Sequence, residues 1–192
     1  VRRFFCDEYR LNAALAAYPK PIVSFLHGTV MGGGVGVGCH VSHRIIDPAA
    51  LIAMPECRIG LVPDVGGTLL LANAPGRLGE YMALTGAPIA ADTAVHAGFA
   101  DHLIAQSEWE RLKTDLCASG DVGLIAAMGR PASGLPADLF QQINTAFDGE
   151  TLHEIAKACA GLDFASELEK GSPISLTLAL AMLRQARSYD TI

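Results

Sequence analysis

The chain has 192 residues, half of them hydrophobic, with 20 glycines and a formal net charge of −6. That is enough apolar material for a packed domain with a real core, and it excludes a disordered or low-complexity chain. The acidic balance excludes a nucleic-acid surface, which carries a basic footprint, and no apolar run reaches membrane-spanning length. Five scattered cysteines without a C-x-x-C pair read as reduced thiols of a cytosolic-type compartment. The first residues lack the apolar core of a signal peptide, and the absence of an initiator Met implies that the true start lies upstream.

In chain order, Phe4, Leu11, Ala14, Leu15 and Tyr18 recur at helical spacing, and Pro19 and Pro21 end that helix. Residues 22–26 form a short apolar run that meets His27-Gly28, the pattern of a buried strand entering a turn. The glycine run Met31 to Gly38 follows, then a short helix over 35–40 and two further strands over 44–47 and 51–54. This order predicts a repeating β-β-α plan. From Gly66 onward helices dominate, over 68–73, 78–84 and 92–97, each closed by Gly or Pro-Gly. Ser107-x-x-Glu110 and Thr151-x-x-Glu154 have the form of capping boxes. The first opens a helix with Trp109, Leu112 and Leu116 on one face; the second opens one with Leu152, Ile155 and Cys159 inward and Gly161 as its stop. Ser172-Pro173 opens a last helix through Leu176, Leu180 and Leu183. The composition of 120–136 is that of a connector, which divides the chain into an α/β core (1–120) and a helical C-terminal region (121–192).

Two features carry chemistry. The glycine run fits neither G-x-G-x-x-G nor a P-loop, since no Gly-Lys-Ser/Thr follows. What remains is bare backbone at a helix N-terminus, whose N–H groups suit a developing negative charge on oxygen. The second is a pair of acids eight positions apart, Glu56 in Met54-Pro55-Glu56 and Asp64 in Pro63-Asp64-Val65-Gly66-Gly67. Each follows an apolar stretch and a proline, positions that present side chains into clefts. Carboxylates so placed serve as base, acid or nucleophile when burial and mutual repulsion tune them; otherwise they are solvated loop acids. His40 and His43 have no third ligand at zincin spacing, so no metal site is expected. No G-x-S-x-G elbow exists. His27 either lines the cleft or serves its turn.

The residues Lys20-Pro21-Ile22-Val23, His27-Gly28-x-x-Met31-Gly32-Gly33-Gly34, Met54-Pro55-Glu56-x-x-x-Gly60-Leu61-x-Pro63-Asp64-x-Gly66-Gly67, Leu84-Thr85-Gly86 and Ala97-Gly98 together resemble the crotonase (enoyl-CoA hydratase/isomerase) superfamily. Within it the likeness is greatest to the 3-hydroxyisobutyryl-CoA hydrolase branch, and it covers nearly the whole chain. The resemblance implies a spiral of β-β-α turns with C-terminal helices over the site, an acyl-CoA substrate that brings coenzyme A with it, no separate cofactor, and a homo-oligomer. It implies an oxyanion-hole N–H at Gly33, with His27, Gly32, Gly34 and Pro63 lining the substrate site. Hydratases of the family carry a first catalytic glutamate three residues past that donor, which falls here on Gly36, and a second that falls on Glu56. The hydrolase branch instead pairs the equivalents of Glu56 and Asp64, and both stand here. Thioester hydrolysis in valine breakdown is therefore the activity the resemblance implies, with Glu56 as nucleophile or base and Asp64 orienting the substrate hydroxyl or sharing proton transfer. Hydratase or isomerase chemistry and a non-catalytic binding or oligomerising module are the alternatives. Family members carry a preceding segment with the other oxyanion donor, so an internal piece of a longer enzyme, or a shortened relative, is expected. Its compartment would be the bacterial cytoplasm, or the mitochondrion if a transit peptide has been lost.

Overall fold

A computed structural model describes residues 2–188. Helix α1 (Arg2–Ala16) leads into strand β1 (Val23–Leu26), and the turn at Gly28 (φ 62°) leads into strand β2 (Thr29–Met31) and helix α2 (Gly33–Gly38). The second pass runs through β3 (His43–Ile46), β4 (Leu51–Ala53), a 3-10 turn at Glu56–Ile59, α3 (Gly67–Asn73) and α4 (Leu78–Thr85). The third supplies β5 (Ile89–Ala90), α5 (Ala91–His96) and β6 (His102–Leu103). Then come a 3-10 turn at Gln106–Glu108, α6 (Trp109–Ser119), α7 (Gly123–Met128), α8 (Ala137–Ala146), α9 (Leu152–Cys159), α10 (Ala165–Leu168) and α11 (Pro173–Ala186).

Each pass contributes one strand to each of two three-stranded sheets. One has the order β1-β3-β6, all parallel; the other has β2-β4-β5, with β2 and β4 parallel and β4 and β5 antiparallel. This is the expected α/β spiral. Strand β2 is hidden from sequence reading because three residues between Gly28 and Gly32 are too few to show a period. The larger core lies between the second sheet and α3, α4 and α11, around Ile52, Met54, Leu71, Met82 and Leu183, all essentially inaccessible. A smaller one, around Ile45, Trp109, Leu112 and Ile125, fixes α6 and α7 on the first sheet. The stretch read as a connector thus contains α7, and Arg130 bridges back to Leu103. Among the described residues no helix is long and apolar enough to cross a membrane.

One local expectation is corrected. Residue Ser107 does not cap a helix: α6 starts at Trp109, after a 3-10 turn, with no side-chain cap. The reason is tertiary. Asp47 accepts the Gln106 N–H at 2.7 Å and Trp109 donates its indole N–H to the Ile104 carbonyl at 2.9 Å, and these clamp the entry into a tighter turn. At α9 nothing competes, and Thr151 and Glu154 form the reciprocal capping box. In α1 the apolar Phe4 and Leu11 are exposed, as is Tyr18 just past its end, while its one buried residue is Asn12.

The crossing of α3 and α4 depends on Gly79, where a Cβ would overlap the backbone carbonyl oxygen of Leu71. Backbone cannot yield as a side-chain tip can. Gly79→Ala should therefore cost about 2 kcal/mol or more despite its better helix propensity, read as a lowered urea midpoint. A neutral or stabilising result would mean that the two helices can separate.

Candidate active site

The site is built on the two glycine-proline segments that follow β2 and β4. At the end of β4, Pro55 turns the chain into the 3-10 turn that begins with Glu56, and Gly60 (φ 79°) ends it. Arg58 anchors this turn by donating to the Thr85 carbonyl (2.6 and 3.1 Å) and to Glu167 (2.6 Å), and Cys57 accepts from the Ser172 N–H at the start of α11. The anchoring holds Glu56 inward. It is only 6% exposed, and its Oε2 has no hydrogen-bond partner among the described residues. Burial, partly offset by its own backbone N–H and augmented by the nearby charge of Asp64, raises the Glu56 pKa from 4.5 to about 7.

Asp64 lies in the loop 63–67. The Thr68 hydroxyl donates to the Pro63 carbonyl at 2.7 Å, and the Gly67 N–H to the Asp64 carbonyl at 2.6 Å. Between them Val65 takes φ 47°, a left-handed conformation unusual for a β-branched residue. His40 donates its Nε2–H to the Val65 carbonyl (2.7 Å), and Val65 itself is buried. Strain of this kind survives only where the surroundings over-determine it, and such residues cluster at functional sites. Here it sets Asp64 at one side of a cavity of about 310 Å³ lined also by Tyr9, Pro63 and Met182.

The glycine run meets Glu56 directly and the Asp64 loop through Val65. A side chain at Gly32 (φ 48°) would come within 3.3 Å of Glu56 Oε1, so Glu56 lies directly against the start of α2. The N–H groups of Gly33, Gly34 and Val35 open α2, where an intrahelical partner is lacking. At Gly36 there is no room for a side chain: a Cβ would stand 2.7 Å from Val65 Cβ and 3.0 Å from the Asn12 amide.

The structure thus brings together Gly32, Gly33, Glu56, Asp64 and Pro63. It does not bring His27 with them. That ring packs on Trp109 (centroids 5.8 Å apart) in a separate cleft with Gln106, Glu110 and Lys113. Gly34 faces Val30 and an open groove beside β1. His40 serves the Val65 carbonyl, and His43 contacts Ser42.

Three residues of α1 were not singled out from sequence. The Tyr9 hydroxyl donates to Asp64 Oδ2 at 2.8 Å. Burial, that hydrogen bond and the charges of Asp64 and Glu8 push the Tyr9 pKa up to about 12, so it stays a donor. Glu8 Oε1 would stand 3.1 Å from a Cβ on Gly33, and Asn12 packs on Gly36. Positions 8, 9 and 12 share one side of a helix, a signal obscured by the apolar residues around it.

The family model for enoyl-CoA hydratase/isomerase matches residues 1–192. The chain is 36% identical over 203 residues to a human protein named "3-hydroxyisobutyryl-CoA hydrolase, mitochondrial", covering 96% of this chain and 53% of that one. It is 35% identical over 204 residues to an Arabidopsis thaliana "Probable 3-hydroxyisobutyryl-CoA hydrolase 3", covering 96% and 54%. Among solved structures, it superposes on a carnitinyl-CoA dehydratase from Mycobacterium thermoresistibile with TM-score 0.92 and 40% identity, covering 99% of this chain and 58% of that one. An enoyl-CoA hydratase from Rhodobacter sphaeroides gives TM-score 0.86 and 42% identity, covering 98% and 57%. The chain spans about half the length of the curated relatives it matches.

Proposed function

The chain belongs to the enoyl-CoA hydratase/isomerase family, and from that premise we propose that it hydrolyses an acyl-CoA thioester, with 3-hydroxyisobutyryl-CoA as substrate. The observation that carries this reading is the pairing of a buried Glu56 with Asp64 beside a Gly36 that admits no side chain. One carboxylate against the glycine run, supported by a second across the cleft, suits attack on a carbonyl. Addition of water across a double bond by two glutamates would need a side chain where Val65 and Asn12 stand.

The thioester carbonyl sits against the Gly33 N–H, which stabilises the oxygen as it gains charge; losing such a donor typically costs about 10²–10³ in rate. Ionised Glu56 either attacks the carbonyl carbon, giving an acyl anhydride that water then opens, or removes a proton from the attacking water. In both routes the C–S bond breaks, coenzyme A leaves as thiolate and takes a proton, and water supplies the oxygen of the free acid. Tyr9 holds Asp64 by one oxygen, which leaves the other to orient the substrate hydroxyl or take part in proton transfer.

Since the reaction needs the carboxylate form, kcat/KM for thiol release should rise with pH through a limb near 7, the folded pKa of Glu56. Asp64→Asn removes one of the influences that raise it, so the limb moves toward acid. It stays above 4.5, because burial is the larger cause. An unmoved limb would detach Asp64 from Glu56. The direct test supplies 3-hydroxyisobutyryl-CoA and follows free thiol. Thiol release supports hydrolysis, and binding without turnover supports a non-catalytic module. The likeness to dehydratase and hydratase structures favours a second reading, addition or removal of water, for which conversion without thiol is the diagnostic result.

A further inference from the structure

The buried amide of Asn12 is the least explained polar group near the site. Asn12 is 6% exposed, and neither its Oδ1 nor its Nδ2 has a hydrogen-bond partner among the described residues. Leaving one buried donor or acceptor unpaired is costly, and this side chain leaves both. A leucine would fill the same space without that cost. The amide is also held in place: it abuts the Gly36 position at 3.0 Å, on the turn of α2 that Val65 covers, and borders a small cavity of about 240 Å³ with Tyr9, His40 and Gly66.

Its position relative to the chemistry is defined by α2. Glu56 lies against Gly32, the oxyanion donor is at Gly33, and Asn12 lies against Gly36. Three residues of helix carry the chain about 4.5 Å along its axis. That is of the order of the reach from a thioester carbonyl oxygen to a hydroxyl on its β-carbon, four bonds that span up to about 4.5–5 Å when extended. A hydroxyl both donates and accepts, which matches an amide with both functions unused. Being neutral, the amide makes no demand for a counter-charge beside the two catalytic carboxylates.

We propose that Asn12 is a specificity-determining residue that recognises a hydroxyl on the acyl group of the substrate. It rests on the thioester reading for the placement of the carbonyl at Gly33. A site that hydrogen-bonds a substrate hydroxyl discriminates strongly against the analogue lacking it, because its own polar groups are then left unpaired.

The test compares 3-hydroxyisobutyryl-CoA with isobutyryl-CoA on the protein and on Asn12→Leu and Asn12→Ala, by thiol release and by calorimetric binding. The unaltered protein should prefer the hydroxylated thioester by about 10²-fold or more. In Asn12→Leu that ratio should fall at least about tenfold. This variant keeps the volume and removes both unpaired groups, so it should fold at least as well as the parent; Asn12→Ala gives a second reading if the branched side chain does not fit. An unchanged ratio in a folded variant overturns the proposal. So does an equal loss on both thioesters, which points to the attacking water or to packing. Absence of thiol release from the unaltered protein would instead sink the hydrolase reading, and the binding ratio would still report on Asn12.

Discussion

Glu56→Gln should lower thioester hydrolysis by about 10³-fold or more while acyl-CoA binding survives, and should also make the protein more stable at pH 8. Both effects come from one property, the burial of a carboxylate with an unpartnered oxygen. In the unfolded chain Glu56 ionises near 4.5; in the folded protein it does so near 7. Between these values the folded state holds the Glu56 proton more than the unfolded does, so the stability this group contributes is fully present below pH 4.5 and is lost as pH rises through about 7. The penalty reaches as much as ~3 kcal/mol above pH 8. Glutamine keeps the shape and never ionises. The gain in Tm should therefore be near zero at pH 4 and grow to several degrees, roughly 5–10 °C, at pH 8. Thermal unfolding of the parent and the variant across this range, beside thiol release, separates the outcomes. Near-normal turnover would remove Glu56 from the chemistry; a Tm gain independent of pH would mean that its charge is already compensated.

The second large effect is expected far from the cleft. Glu80, in the first turn of α4, is completely inaccessible and accepts from Arg77 (3.1 Å) and from Arg187 (2.8 Å), while Arg184 approaches at 3.4 Å. One carboxylate thus ties Arg184 of α11 and Arg187 just past its end to Arg77 at the start of α4. Asp148, which also pairs with Arg77, and Glu150, which pairs with Arg184, are both exposed and screened. Glu80→Ala leaves three guanidinium groups around an empty buried site. Breaking a buried ion cluster from one side costs about 3–5 kcal/mol. In urea unfolding this should appear as a large drop in midpoint, and α11, which covers Val62 and Asp64 through Met182, should lose protection from hydrogen exchange first. A loss under about 1 kcal/mol would show that the exposed acids and backbone carbonyls suffice to hold the arginines.

Much of this was legible in the residues themselves. Strands β1, β3 and β4 and helices α3, α4, α9 and α11 follow from apolar periods bounded by Gly, Pro and caps. The two capping-box patterns show the limit. Thr151 and Glu154 close on each other because the exposed end of α9 is left to its own side chains. Ser107 and Glu110 do not, because Asp47, sixty positions earlier, claims the Gln106 N–H. Local chemistry prevails only where nothing distant competes.

The candidate site divides in the same way. The sequence by itself determined the kinds of group available: bare backbone in the glycine run, and two acids after prolines that turn the chain at strand and loop ends. Their chemistry follows from covalent structure and needs no neighbours. Only the tertiary structure decided which of those groups act together and in what state. The burial that raises Glu56, the strained Val65 that closes Gly36, and the polar side of α1 that brings Tyr9 to Asp64 and Asn12 to Gly36 are all contacts between residues far apart in the chain. A pKa or an unpaired amide is a property of surroundings, and surroundings exist only after folding.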